Sequence, residues 1–104
     1  MTLFNDREGA FEAKYAHDSE MQFRVDARRN RLVGLWAAGL LGKTGDEAND
    51  YAMSVVKADF QEPGIEDVVK KVAGDLVGKA SAEDVRAKMA EMLAVAKKQL
   101  SEEI

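Results

Sequence analysis

Few side chains in this sequence could do chemistry, and their spacing limits what that chemistry could be. His17 is the single histidine, and it stands beside Asp18 and Ser19. A serine nucleophile needs a histidine within hydrogen-bond reach and a carboxylate that orients it. Consecutive residues point in different directions on a helix, so these three do not assemble such a dyad, and His17 reads as a surface residue. One histidine and no cysteine also exclude a two-histidine or thiolate-bound zinc. The carboxylates fall at helix starts and on solvent faces rather than in E-x-x-H pairs, so no metal is expected.

Two features could hold a phosphate. Gly42-Lys43-Thr44-Gly45 has phosphate-loop residue types but lacks the full G-x-x-x-x-G-K-[ST] pattern and lies between helical runs, not after a strand. A helix-ending glycine followed by an N-cap accounts for it. Arg24, Arg28, Arg29 and Arg31 form the densest basic cluster, a set able to bind phosphates or an acidic protein surface. Asp26 interrupts it and no aromatic platform is interleaved, so a solvated helix face is the plain account. Arg28, Arg29 and Arg31 together with Lys43 therefore define one functional alternative, a small nucleotide-sensing or phosphate-binding regulator.

The elements that must position these residues are helical throughout. Met21, Val25, Leu32, Trp36 and Gly39 share one face of a helix expected to start near Ser19 and to end at Gly42, with Trp36 as the large core anchor. Thr44 and Glu47 have capping-box spacing ahead of a run to about Phe60, in which Ala48, Tyr51, Ala52 and Val55 recur at helical steps. Pro63-Gly64 breaks that run. Ile65, Val68, Val69, Val72 and Leu76 would suit a strand by composition, but their spacing decides for a helix closed by Gly78. Ser81 and Asp84 open a last helix with Val85, Met89, Met92, Leu93, Ala96 and Leu100 on one face. Gly34, Gly39 and Gly74 count as weak points in these helices.

The predicted fold is all-α: an N-terminal arm over residues 1–19, flexible or helical, and a four-helix bundle over residues 20–104. A chain of 104 residues holds one such domain. Its longest apolar stretch, Leu32 to Leu41, is about half the ~20 residues needed to span a bilayer. The start, MTLFNDREGAFEAKYAHD, lacks the basic-then-apolar pattern of a secretory signal, so the chain is expected to begin at or near Met1. The lack of cysteine suits a reducing cytoplasm. With 15 Lys plus Arg against 19 Asp plus Glu, the net charge is −4, which argues against nucleic acid and anionic lipid and towards a specific protein partner. No direct membrane insertion is expected, and the free protein is expected to be a monomer.

The arm is the most informative segment. It carries Asp6, Glu8, Glu12 and Asp18 against Arg7 and Lys14, with Phe4, Phe11 and Tyr15 on one stripe. On a straight continuous helix that stripe would lie roughly 80° around from the Met21 stripe, so the two do not share a groove. Either the helix bends between His17 and Met21, or the arm keeps its aromatic face for something else. A stripe this thin does not stabilise an isolated helix, but it suits a groove on a partner.

The segments F-N-D-R-E-G-A-F-E-A-K-Y-A-H-D (Phe4 to Asp18), Ala27-Arg28-Arg29-Asn30-Arg31-Leu32, Gly34-Leu35-Trp36-Ala37-Ala38, Thr44-Gly45-Asp46-Glu47-Ala48 and Val55-Val56-Lys57-Ala58-Asp59-Phe60 closely resemble the zeta subunit of alphaproteobacterial F-type ATP synthases. The match runs essentially end to end, with the segments in the same order and at the same separations. One departure is Gly39, where that family more often has a charged helix-former. The resemblance implies a four-helix bundle with an N-terminal inhibitory segment that blocks ATP hydrolysis by the catalytic head. It further implies insertion of that segment, as a helix, at an interface of the alpha and beta subunits, reaching gamma and jamming rotation in the hydrolysis direction. By carry-over, the partner-binding residues are Phe4, Arg7, Glu8, Phe11, Glu12, Lys14, Tyr15 and His17, while the bundle docks outside and holds the arm. The expected protein is not an enzyme, needs no cofactor beyond weak binding of ADP or ATP, and sits peripheral to the inner-membrane complex.

Overall fold

A computed structural model describes residues 18–58 and 65–103 of the chain. The first helix, α1 (Ser19–Leu40), begins where the Asp18 carboxylate accepts hydrogen bonds from the Glu20 and Met21 N–H groups at 3.0 and 3.3 Å. Those are two of the donors that a helix start otherwise leaves orphaned. It ends in a Schellman turn: Gly42 takes φ 76°, its N–H donates to the Gly39 carbonyl, and the Lys43 N–H donates to the Ala38 carbonyl at 2.9 Å. Only glycine adopts that φ without strain.

The second helix, α2 (Gly45–Ala58), starts one residue after Thr44, with Gly45 at φ 56°. The Thr44 carbonyl accepts the Ala48 N–H at 3.5 Å, but with Gly45 left-handed between them the expected box of Thr44 and Glu47 side chains is not made, and among the described residues the reciprocal capping box forms elsewhere. It forms at the last helix, α4 (Ala82–Glu103), where the Ser81 N–H donates to the Asp84 carboxylate at 3.0 Å and the Asp84 N–H donates to the Ser81 hydroxyl at 3.1 Å. Between them, α3 (Glu66–Asp75) runs into a turn with Gly78 at φ 83°. The expected end of α2 near Phe60 and the break at Pro63 lie outside the described residues.

The four helices meet in a bundle with two apolar centres. In the larger, Val33 and Ala37 of α1 pack with Val55 of α2, Val68, Val69 and Val72 of α3, and Val85 and Met89 of α4. In the smaller, Met21 and Val25 of α1 pack with Ala96 and Leu100 of α4. The early residues of α1 thus meet the late residues of α4, so the two long helices are antiparallel. Each fully buried aliphatic side chain contributes about 1.5–3 kcal/mol, and here valine supplies most of them.

Three expectations from the sequence are revised. Gly34 is no weak point: it is buried, and a Cβ placed on it would lie 2.6 Å from the Ala52 Cα, so α1 and α2 pack backbone against backbone there. Trp36 is not a fully buried anchor but a half-buried side chain on the flank of the core, with the Lys88 Nζ 5.3 Å from its ring centroid. Gly39 is exposed, not core-facing.

Polar ties fix the short helix α3 to both of its neighbours. Arg86 of α4 holds Glu66 of α3 through two hydrogen bonds, at 2.9 and 3.3 Å, which lower the Glu66 carboxyl below its ordinary range. The Tyr51 hydroxyl of α2 donates to the Asp75 carboxylate of α3 at 2.8 Å, and Lys71 donates to the same oxygen at 3.1 Å. Burial, assisted by the neighbouring Asp75 carboxylate, pushes the Tyr51 phenol well above its usual range.

Candidate functional site

The arginines singled out from the sequence do different jobs. Arg28 bridges α1 to the end of α4: its Nη1 lies 2.9 Å from one Glu103 oxygen, its Nη2 donates to the other at 3.2 Å, and its Nη1 also donates to Gln99. Arg29 is turned inward and nearly buried, with its Nε donating to the Asn30 Oδ1 at 3.1 Å and its Nη1 3.6 Å from Asp26. Arg24 pairs with Glu20 one turn earlier, at 2.8 Å, on the open surface. Arg31 is exposed and has no ion pair among the described residues.

Lys43 lies beyond the far end of α1, in the turn before α2. Nine residues at about 1.5 Å each put Leu40, the last residue of α1, roughly 13 Å along the axis from Arg31, and Lys43 follows in the turn beyond it. Arg28, Arg29, Arg31 and Lys43 therefore do not converge: two face a surface groove, one is spent inside the bundle, and one sits at the opposite end of the helix. Among the described residues, no group of three or more His, Cys, Asp or Glu side chains could hold a metal ion.

The groove that the arginines border has a volume of about 440 Å³ and lies between the first half of α1, the later part of α2 and the end of α4. Phe23, Ala27, Met53, Val56 and Leu100 contribute its apolar lining, and Arg24, Arg28 and Arg31 contribute one edge, where Glu103 also lines it and pairs with Arg28. Phe23 is 53% exposed and Met53 49%. Sequence reasoning did not single out these two residues, although a signal was present. Phe23 lies roughly 160° around the helix from Met21, at about 100° per residue. An aromatic that far off the core stripe is one the core does not use. A second groove, of about 390 Å³, lies beside Trp36 and Ala80, with Lys79 and Lys88 opposed by Asp84 and Glu91 on its rim. Its charges are matched internally, Lys88 pairing with Glu91 at 2.7 Å.

The arm residues Phe4, Arg7, Glu8, Phe11, Glu12, Lys14, Tyr15 and His17 lie outside the described residues, as does the arm assigned to residues 1–19 except for Asp18 and Ser19. Asp18, at the end of that arm, caps α1. No helix among the described residues is long and apolar enough to cross a membrane.

Fold and surface together place the molecule in the class of small all-α bundles with open surface grooves. Within that class the particular kind is specific: the family model for ATPase inhibitor subunit zeta matches residues 1–99, and the chain belongs to that family. A protein structure solved in solution by NMR is 61% identical over 81% of this chain and 99% of that one, with a TM-score of 0.75. No curated protein matches the chain.

Proposed function

We propose that the protein inhibits ATP hydrolysis by the catalytic head of an F-type ATP synthase, with residues 1–19 as the inhibitory element and the bundle as its support. The observation that carries this reading is the family match over residues 1–99, which takes in the arm as well as the four helices. In this reading Phe4, Phe11 and Tyr15 supply apolar burial at an interface of the alpha, beta and gamma subunits. Arg7, Glu8, Glu12, Lys14 and His17 flank them with polar and charge-assisted contacts. An arm held there blocks rotation in the hydrolysis direction, so the protein acts by obstruction, as a regulator and not a catalyst, and needs no cofactor. It works peripherally, on the cytoplasmic face of the membrane complex.

The chain's chemistry suits that role. Such an obstruction needs no nucleophile, base or metal, only a segment with aromatic anchors and a folded body too large to follow it into the interface. The test is ATP hydrolysis by the purified cognate head, titrated with the full chain and with a version lacking residues 1–17, which keeps the Asp18 cap. Inhibition by the first and not the second is expected. Inhibition by neither, with both folded, would refute the reading.

A further inference from the structure

We infer that the groove edged by Arg24, Arg28 and Arg31 seats an acidic amphipathic helix of the protein that the arm engages, so that the bundle is anchored by a second contact beside the arm. This inference rests on the inhibitory reading above for the partner's identity, and on the groove itself for its chemistry.

Three observations carry it. The first is charge: the protein is acidic overall, at −4, yet three arginines spaced i, i+4 and i+7 line one edge of a groove whose lining carboxylate, Glu103, is already paired with Arg28, which leaves Arg24 and Arg31 to meet a partner. Arg31 has no ion pair among the described residues, and the Arg24–Glu20 pair is exposed on both sides, where such a pair contributes little and exchanges readily for a partner carboxylate. The second is the lining: Met53 is 49% exposed and Val56 and Ala27 lie beside it, an apolar strip of the kind that receives the apolar face of a helix. A free phosphate would have no use for that strip. The third is position: Arg24 is within two turns of Ser19, where the arm joins α1, so a partner holding the arm lies next to this groove. Arg24 and Arg31 are about 10 Å apart along the axis, so the complementary helix carries carboxylates about seven residues apart beside its apolar stripe.

The experiment uses the full-length protein, fluorescently labelled, and measures both its binding to the purified catalytic head and ATP hydrolysis in the same mixtures. The variants are Arg24→Glu with Arg31→Glu, and separately Met53→Glu, all at exposed positions, with melting curves to verify folding. At about 50 mM salt the double variant should bind roughly tenfold more weakly than wild type, and the gap should narrow at about 300 mM salt as the charges are screened. Met53→Glu should weaken binding at both salt concentrations. Equal binding by wild type and both variants overturns the inference, and so does wild type that does not bind the head. Binding without inhibition refutes the inhibitory reading alone, because the variants still report on the groove. Two further outcomes overturn it by naming another occupant. If the double variant shifts the amide resonances of residues 4–15, the chain's own arm fills the groove. If wild type self-associates in sedimentation and the double variant does not, a second copy fills it.

Discussion

Gly34→Ala is the sharpest test of how the bundle is assembled. By propensity alone the change should help, because alanine in a helix interior is favoured over glycine by roughly 0.5–1 kcal/mol. The crossing of α1 and α2 reverses the sign. The added methyl would sit 2.6 Å from the Ala52 Cα, 3.1 Å from the Ala52 Cβ and 3.3 Å from a Val55 methyl. Carbon atoms prefer about 3.5–4.0 Å, so α2 must retreat by about 1 Å, and the obstacle is backbone, which cannot rotate away. Overpacking of this kind costs typically 1–3 kcal/mol. With the upper value applying to a backbone clash, the net loss is about 2 kcal/mol after the propensity gain. In a domain of this size that lowers the melting temperature by roughly 8–16 °C. Gly39→Ala is the internal control. It lies on the same helix with nothing within 4 Å of a Cβ, and should raise stability by roughly 0.5–1 kcal/mol. Thermal melts followed by circular dichroism decide the matter. If Gly34→Ala melts at or above wild type, the close crossing at Ala52 is wrong.

Three other outcomes are expected. Ser81→Ala removes one half of the reciprocal cap on α4 and should cost about 1 kcal/mol, with amide exchange accelerated first in residues 82–85. Glu66→Gln bears on acid stability. The folded-state pKa of Glu66 is lowered by Arg86, so its contribution is fully present above the ordinary carboxylate pKa and is lost as pH falls through the depressed value. The variant should therefore lose stability near neutral pH and show a shallower acid limb in melting temperature against pH, and an unchanged limb would show that the pair contributes nothing. Phe11→Ala combined with Tyr15→Ala should weaken inhibition of ATP hydrolysis at least tenfold while the melting temperature stays within about 2 °C of wild type, and equal losses in both would count against a separate inhibitory arm.

Local chemistry made much of this molecule legible in advance. The start near Ser19, Gly42 after Leu41, and the Ser81–Asp84 spacing mark helix ends because such signals need only a side chain and the three or four residues next to it; the Asp18 cap and the failure of the Thr44–Glu47 box came from the structure. The faces of α3 and α4 were equally readable. Each turns a single apolar stripe to the core, and Val68, Val72, Val85, Met89 and Ala96 are buried as their spacing requires. The family's arm and bundle segments were visible for the same reason: they are linear motifs.

What one helix does on two sides was not readable. The stripe through Met21, Val25, Leu32 and Trp36 captures only the side of α1 that meets α4. Its other buried side, with Asn30, Val33, Gly34 and Ala37, exists because α2 crosses there, and no pattern within α1 states which neighbour will arrive or how closely. The same holds for the arginines. Their clustering is a fact of sequence, but Arg28 is tied down by Glu103, 75 residues away, while Arg29 turns inward and Arg31 stays open. A side chain's partner across the bundle is set by the packing of whole helices. The sequence therefore determined the four helices, the ends marked by Gly42 and by Ser81–Asp84, and the kind of protein, and the tertiary structure alone decided which glycine is a contact, which arginine is spent, and where an apolar groove with a basic edge is left open.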